Sequence, residues 1–205
     1  MDRPGLRERK KRETRRRISD VATGLFAVHG FDRVTVAEIA AAADVSKMTV
    51  FNYFPRKEDI LFDRDEEAVE LLSEAIRGRP PDVSPLRAVR LLLLDLMSRR
   101  HPLSGLRDGA QPFWRIVTGS QALQARAREG ASELEALAGR LFAEAAGTGP
   151  DDPQARLQAA LAVTAWRVVY LEAARRLMAG ETADAVHPGL AALACRAFDL
   201  LEREG

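Results

Sequence analysis

Apolar residues recur along most of this chain at intervals of three and four, the spacing that lines one face of an α-helix. Ile18, Val21, Ala22, Leu25 and Phe26 form such a stripe. It ends at Gly30, a residue suited to a left-handed helix cap. No segment sustains the alternation rich in Val, Ile and Thr that marks a strand. The pattern therefore predicts an all-α protein. Helix breakers fall at Gly30, at Pro55 and at about 78–85, 102–112, 147–153 and 180–188. Between them the expected helices cover about 9–29, 35–44, 47–54, 57–77 and 85–100. One broken helix or two follow over 112–146, then helices over 152–179 and 186–204. No repeat of 20–50 residues is visible.

The second and third helices are short, and their boundaries are well signed. Thr35 and Glu38 stand three apart, as a capping box requires. Ile39, Ala40 and Ala43 make a small inner face, and Ser46 is the expected N-cap of the third helix. Two short helices joined by a three- to four-residue turn form a helix-turn-helix. Val45 plugs the turn, while Val50 and Phe54 anchor the third helix inward. Lys47, Met48, Thr49 and Asn52 then face outward, toward the major groove of a duplex in this kind of motif. The chemistry suits base reading. Asn52 can pair bidentately with adenine, Lys47 can reach guanine acceptors, and the Thr49 methyl and Met48 can meet apolar base edges. The Thr35 and Tyr53 hydroxyls, the Lys57 ammonium and the N–H groups opening the second helix at Val36 suit phosphates.

Charge reinforces this reading. The net charge of +1 conceals an asymmetry. Residues 1–17 hold nine Lys and Arg, Arg3, Arg7 and Arg15 among them, against three acidic residues, so that arm carries +6 and the remainder −5. A basic arm running into the first helix fits a polyanionic partner. The expected division is a DNA-binding domain over 1–56 and a helical ligand-binding and dimerisation domain over 57–205.

The run from Thr35 to Leu61 resembles the DNA-binding signature of the TetR family of bacterial repressors. The likeness covers about residues 10–61 and rests on the Ile39-Ala40 and Ala43 core, Val45-Ser46, Thr49, the aromatics Phe51, Tyr53 and Phe54, and Lys57-Glu58. The resemblance implies a phosphate contact at Thr35 and base-facing positions at Ser46, Lys47, Met48, Thr49 and Asn52. It also implies backbone-clamping aromatics at Phe51 and Tyr53, with a clamp lysine at Lys57. Three positions depart from the pattern. Asp44 stands where the turn usually has Gly, and Asp tolerates the left-handed conformation at some cost. Met48 replaces a frequent Gly, and Phe51 replaces a common Tyr and lacks its hydroxyl.

In the second domain, the helix over 152–179 is apolar nearly all round, with Leu157, Leu161, Val163, Trp166, Val168, Val169, Tyr170, Leu171 and Leu177. Such a helix must be buried on every side. Leu190, Leu193, Ala194, Ala197, Phe198 and Leu201 add an apolar face on the last helix. The last two helices of two copies are expected to form an isologous homodimer interface, as the resemblance also implies. Candidate liners of a pocket for an unknown small-molecule ligand are Met97, His101, Phe113, Trp114, Phe142, Trp166 and Tyr170.

No catalytic or metal signature is present. His29, His101 and His187 lack metal-ligand spacing, and no cofactor motif stands out. The single Cys195 fits a cytoplasmic protein, and no apolar stretch reaches the length of a membrane span. The expected function is a non-enzymatic, dimeric regulator that represses by occupying a palindromic operator and is released by a ligand. The alternatives are a ligand-responsive activator, or a helical enzyme or interaction protein that does not act on DNA.

Overall fold

The computed structural model describes the backbone of residues 6–203 and the side chains of residues 9–203. Arg3 and the side chain of Arg7, both counted in the basic arm, lie outside the described residues. The described chain is helical and without strands. Its elements are α1 (Leu6–His29), α2 (Val36–Ala42), α3 (Lys47–Tyr53), α4 (Lys57–Leu61), α5 (Asp65–Arg77), α6 (Pro85–Ser98), α7 (Gln111–Thr118), α8 (Gln121–Ala146), α9 (Pro153–Met178) and α10 (Ala183–Arg203). A short 3-10 turn over Pro102–Ser104 follows α6.

The chain forms two compact units. The first contains the described residues through Asp63 together with 112–127. Ile18, Ala22 and Phe26 of α1 meet Ile39 and Ala40 of α2, Val50 of α3 and Ile60 and Leu61 of α4 in one buried cluster. Ile116 and Val117 of α7 and Leu123 of α8 join it. Polar ties reinforce this packing. The Ser120 hydroxyl donates to Asp32 Oδ1 at 3.0 Å, and Arg126 Nε donates to Asp59 Oδ1 at 2.8 Å. The first unit thus extends past residue 56 and includes a segment far along the chain, because those short apolar faces find burial here.

The second unit comprises residues 64–111 and the described residues from 128 on. Its core joins Leu72 and Ile76 of α5, Leu93 and Met97 of α6, Leu141 and Phe142 of α8, Val169 and Leu177 of α9, and Leu190, Ala194 and Phe198 of α10. Arg90 on α6 reaches Asp199 on α10 at 2.6 Å.

Three expectations need correction. The helix over 57–77 is two helices, because Ile60 and Leu61 belong to the first core while Leu72 and Ile76 belong to the second. Asp65, Glu66 and Glu67 open α5, where carboxylates favour a new helix N-terminus. The last helix starts at Ala183 and carries Pro188 inside it. Burial of Ala183, Val186 and Leu190 outweighs the one backbone bond that Pro188 removes near the helix start. The stretch 102–112, read only as a breaker, holds the 3-10 turn. Gly105 closes it at φ +71, and a Cβ there would lie 2.6 Å from the Tyr170 ring, so both conformation and space demand glycine.

Among the described residues, no helix is long and apolar enough to cross a membrane.

Candidate nucleic-acid interface

The local chemistry of the second and third helices builds a rigid platform. The Glu38 carboxylate accepts from the Thr35 amide at 2.7 Å and hydroxyl at 2.8 Å, and the Thr35 oxygen accepts from the Glu38 amide at 3.3 Å. These bonds to Thr35 hold the Glu38 carboxyl below its ordinary range. The expected capping box is therefore formed. Asp44 adopts φ 51, the left-handed conformation that the missing glycine demanded of it. The Val45 amide donates to the Ala40 carbonyl at 3.0 Å and closes the turn.

Ser46 caps α3, its oxygen accepting from the Thr49 amide at 3.0 Å and lying 2.8 Å from the Thr49 hydroxyl. Thr49 is thereby tied to the cap, and its methyl is the part left for apolar contact. Val50 and Phe54 are buried, fixing the rotation of α3 about its axis. Lys47, Met48, Phe51 and Asn52 are exposed on the opposite side, Met48 to 69% and Phe51 to 46%. Met48 and Phe51 thus stand three residues apart on the exposed face of α3. Val36 and Tyr53 are half-buried, Tyr53 packing against the first core.

Lys57 has partners inside the protein. Its ammonium donates to the Phe31 carbonyl at 2.9 Å and the Val34 carbonyl at 3.0 Å, and sits 4.0 Å above the Phe31 ring. Two of its three donors are spent inside the protein, where they fasten the segment leading into α2. Lys57→Met is expected to lower the melting temperature. It should leave the slope of log affinity against log salt nearly unchanged; a slope reduced by about one would restore the phosphate contact.

The first-unit core and the capped turn coincide with a known sequence family. The model described as bacterial regulatory proteins, tetR family, matches residues 18–63. The transcriptional regulator TcmR of Streptomyces glaucescens is 31% identical over 153 residues, covering 73% of this chain and 67% of that protein. This chain belongs to the TetR family. It is a transcriptional regulator of that family.

Solved structures agree on the fold across both units. NalD, the secondary repressor of a multidrug efflux pump in Pseudomonas aeruginosa, aligns over 91% of this chain and 97% of its own, with a TM-score of 0.54 and 18% identity. The Thermus thermophilus repressor FadR, solved with lauroyl-CoA, aligns over 91% and 92%, with a TM-score of 0.50 and 28% identity.

Of the seven candidate ligand residues, Met97, His101, Phe142, Trp166 and Tyr170 belong to the second unit. In this TetR-family chain Phe113 and Trp114 belong to the first unit. Phe113 meets Phe62 edge-on at 6.3 Å and Trp114 at 5.2 Å, because α7 turns its aromatic face into that packing. Met97 and Phe142 are buried in the second core. Trp166 is partly buried against that core. His101 Nε2 lies 3.3 Å from Glu67, and its Nδ1 accepts from the Leu103 amide at 3.3 Å. The Tyr170 ring abuts Gly105, and burial, aided by the Asp65 charge, drives its hydroxyl above the usual tyrosine range. The first unit holds a shallow cleft of about 220 Å³ lined by Phe26, Phe31, Arg115 and Ile116 among others, and none of the seven candidates lines it.

The structural roles of Arg15 and Arg126 carry no sequence signal: Arg15 sits in the charge run of the arm, and Arg126 in an unremarkable polar stretch. Nothing in residue spacing showed that either would turn inward.

Proposed function

We propose that this regulator is a homodimeric repressor that binds a palindromic operator and leaves it when a small molecule binds. The single observation that carries the reading is the outer face of α3, where Lys47, Met48 and Asn52 project from a helix locked by Ser46, Val50 and Phe54. In this reading Lys47 and Asn52 take base edges, and Met48 takes an apolar one such as a thymine methyl. The N-terminus of α2 at Thr35 and Val36, with Tyr53 and the exposed arm residues of α1, holds the phosphates. Phe51 packs against the sugar-phosphate backbone without donating a bond.

The dimer reading rests on α9. Leu157, Leu161, Val168 and Leu171 follow helical spacing along one face and are exposed on the single chain. A second copy related by a two-fold axis would cover them. Two recognition helices would then address major grooves about 34–36 Å apart. The lauroyl-CoA complex of the FadR relative supports a small-molecule effector for this chain. Whatever its identity, that effector must bind the DNA-free arrangement more tightly than the DNA-bound one.

Selection of bound duplexes from a randomised library tests the reading directly. An inverted repeat is the expected consensus. Enrichment of nothing at low salt, or of a single asymmetric half-site, would overturn it.

A further inference from the structure

We propose that Arg15 is a positioning residue for sequence-specific binding, setting the pose of α3 from inside the protein rather than neutralising a phosphate. The inference rests on the DNA reading above. Arg15 lies on α1 within a run of exposed cations, where Arg12, Arg16 and Arg17 face solvent. Its own side chain is partly buried and turned the other way. Nη1 donates to the Tyr53 carbonyl at 2.9 Å. The guanidinium lies 4.5 Å above the Phe54 ring, and Nη2 stands 3.5 Å from the Asp63 carbonyl.

Tyr53 is the last residue of α3 and Phe54 is its C-cap. The final carbonyls of a helix have no partner within it and carry the negative end of its dipole. A planar cation placed there satisfies one of them and compensates that charge. The same group stacks on the cap residue and reaches toward the chain end of the first unit after α4. At the far end of the seven-residue α3, Phe54 is buried in the first core and Tyr53 packs against it, and Arg15 adds a polar tie to that apolar anchor. At its near end Ser46 supplies the cap. Arg15 thus holds the C-terminal end while the N-terminal end meets the bases. Loss of that hold lets the helix tilt, which degrades base geometry but leaves phosphate charge pairing nearly intact. Lys cannot reproduce a flat fork that also stacks on a ring.

The test compares affinities for the duplex selected above and for an unrelated duplex of equal length, over a range of salt. Arg15→Met is expected to weaken the selected duplex about tenfold, the loss of one charged hydrogen bond. It should leave the unrelated duplex and the salt slope unchanged. Arg15→Lys is expected to recover only part of the loss. Arg16→Met, which removes an exposed cation, should lower both affinities together and reduce the slope. Should Arg15→Met prove unfolded by circular dichroism, the Arg15→Lys ratio decides. An Arg15→Lys protein with the full wild-type ratio, or an Arg15→Met protein whose slope falls by about one with both affinities, overturns the proposal. If the wild-type chain discriminates between no duplexes, the DNA reading itself fails, a distinct result.

Discussion

Replacing Phe198 with alanine is expected to destabilise the second unit by about 3–5 kcal/mol, the range for removing a large buried aromatic side chain. Phe198 is 0% exposed and belongs to the protomer's own core with Leu190 and Ala194. The apolar pattern of the last helix by itself places Phe198 in the expected dimer interface. Its burial within one chain changes that expectation: a charge at Phe198 is expected to disrupt the protomer's own core. The residues suited to testing association are on α9. Leu161 is 42% exposed on the single chain, so Leu161→Glu costs the protomer little while placing a charge in the proposed seam. Denaturant melts should separate the two variants, with Phe198→Ala destabilised at every protein concentration and Leu161→Glu losing only the concentration-dependent part of its stability. Sedimentation should show Leu161→Glu as a helical monomer. A dimer in that variant would remove the α9 row from the interface, and a wild-type melt for Phe198→Ala would contradict the core.

Asn52→Ala is expected to cost about 1–3 kcal/mol of discrimination at one base position in each half-site. The side chain is exposed, so its loss leaves no cavity, and buried Val50 and Phe54 keep the helix in place. Any change in affinity therefore reports on the duplex and not on folding. A panel of operator variants, each altered at one symmetric pair of positions, supplies the measurement. The wild-type protein should reject substitutions at the Asn52 position, and the variant should tolerate them while keeping its preferences elsewhere. A uniform loss across the panel would move Asn52 from base reading to general support. Thr49 makes a useful comparison because its hydroxyl lies 2.8 Å from that of Ser46. Thr49→Val should therefore combine a small loss of capping with any change in base contact.

The parts of the protein legible from residue order alone were those governed by neighbours in the chain. A capping box needs only Thr35 and Glu38 three positions apart, and both bonds formed. The Gly30 cap at φ 81 and the left-handed Asp44 obey the same local rule, because steric limits on φ act within a single residue. Amphipathic spacing likewise assigned Val50 and Phe54 to the inside of α3 and Asn52 to the outside.

Contacts between distant segments were decided only by the tertiary structure. Periodicity says that a face must be buried but not by what, so Phe198 could be read as interface. The same limit hid the inward turns of Arg15 and Lys57, since a cation's count in a sequence carries no direction. It also hid the recruitment of residues 112–127 into the first unit, where Ile116, Val117 and Leu123 meet α1 and α4 residues many turns away in the chain. Hydrophobic burial is strong and non-directional, and it supplies the force that a sequence pattern reveals. Which surfaces it joins is settled by shape, by the carbonyls that need donors and by the few side chains able to reach them.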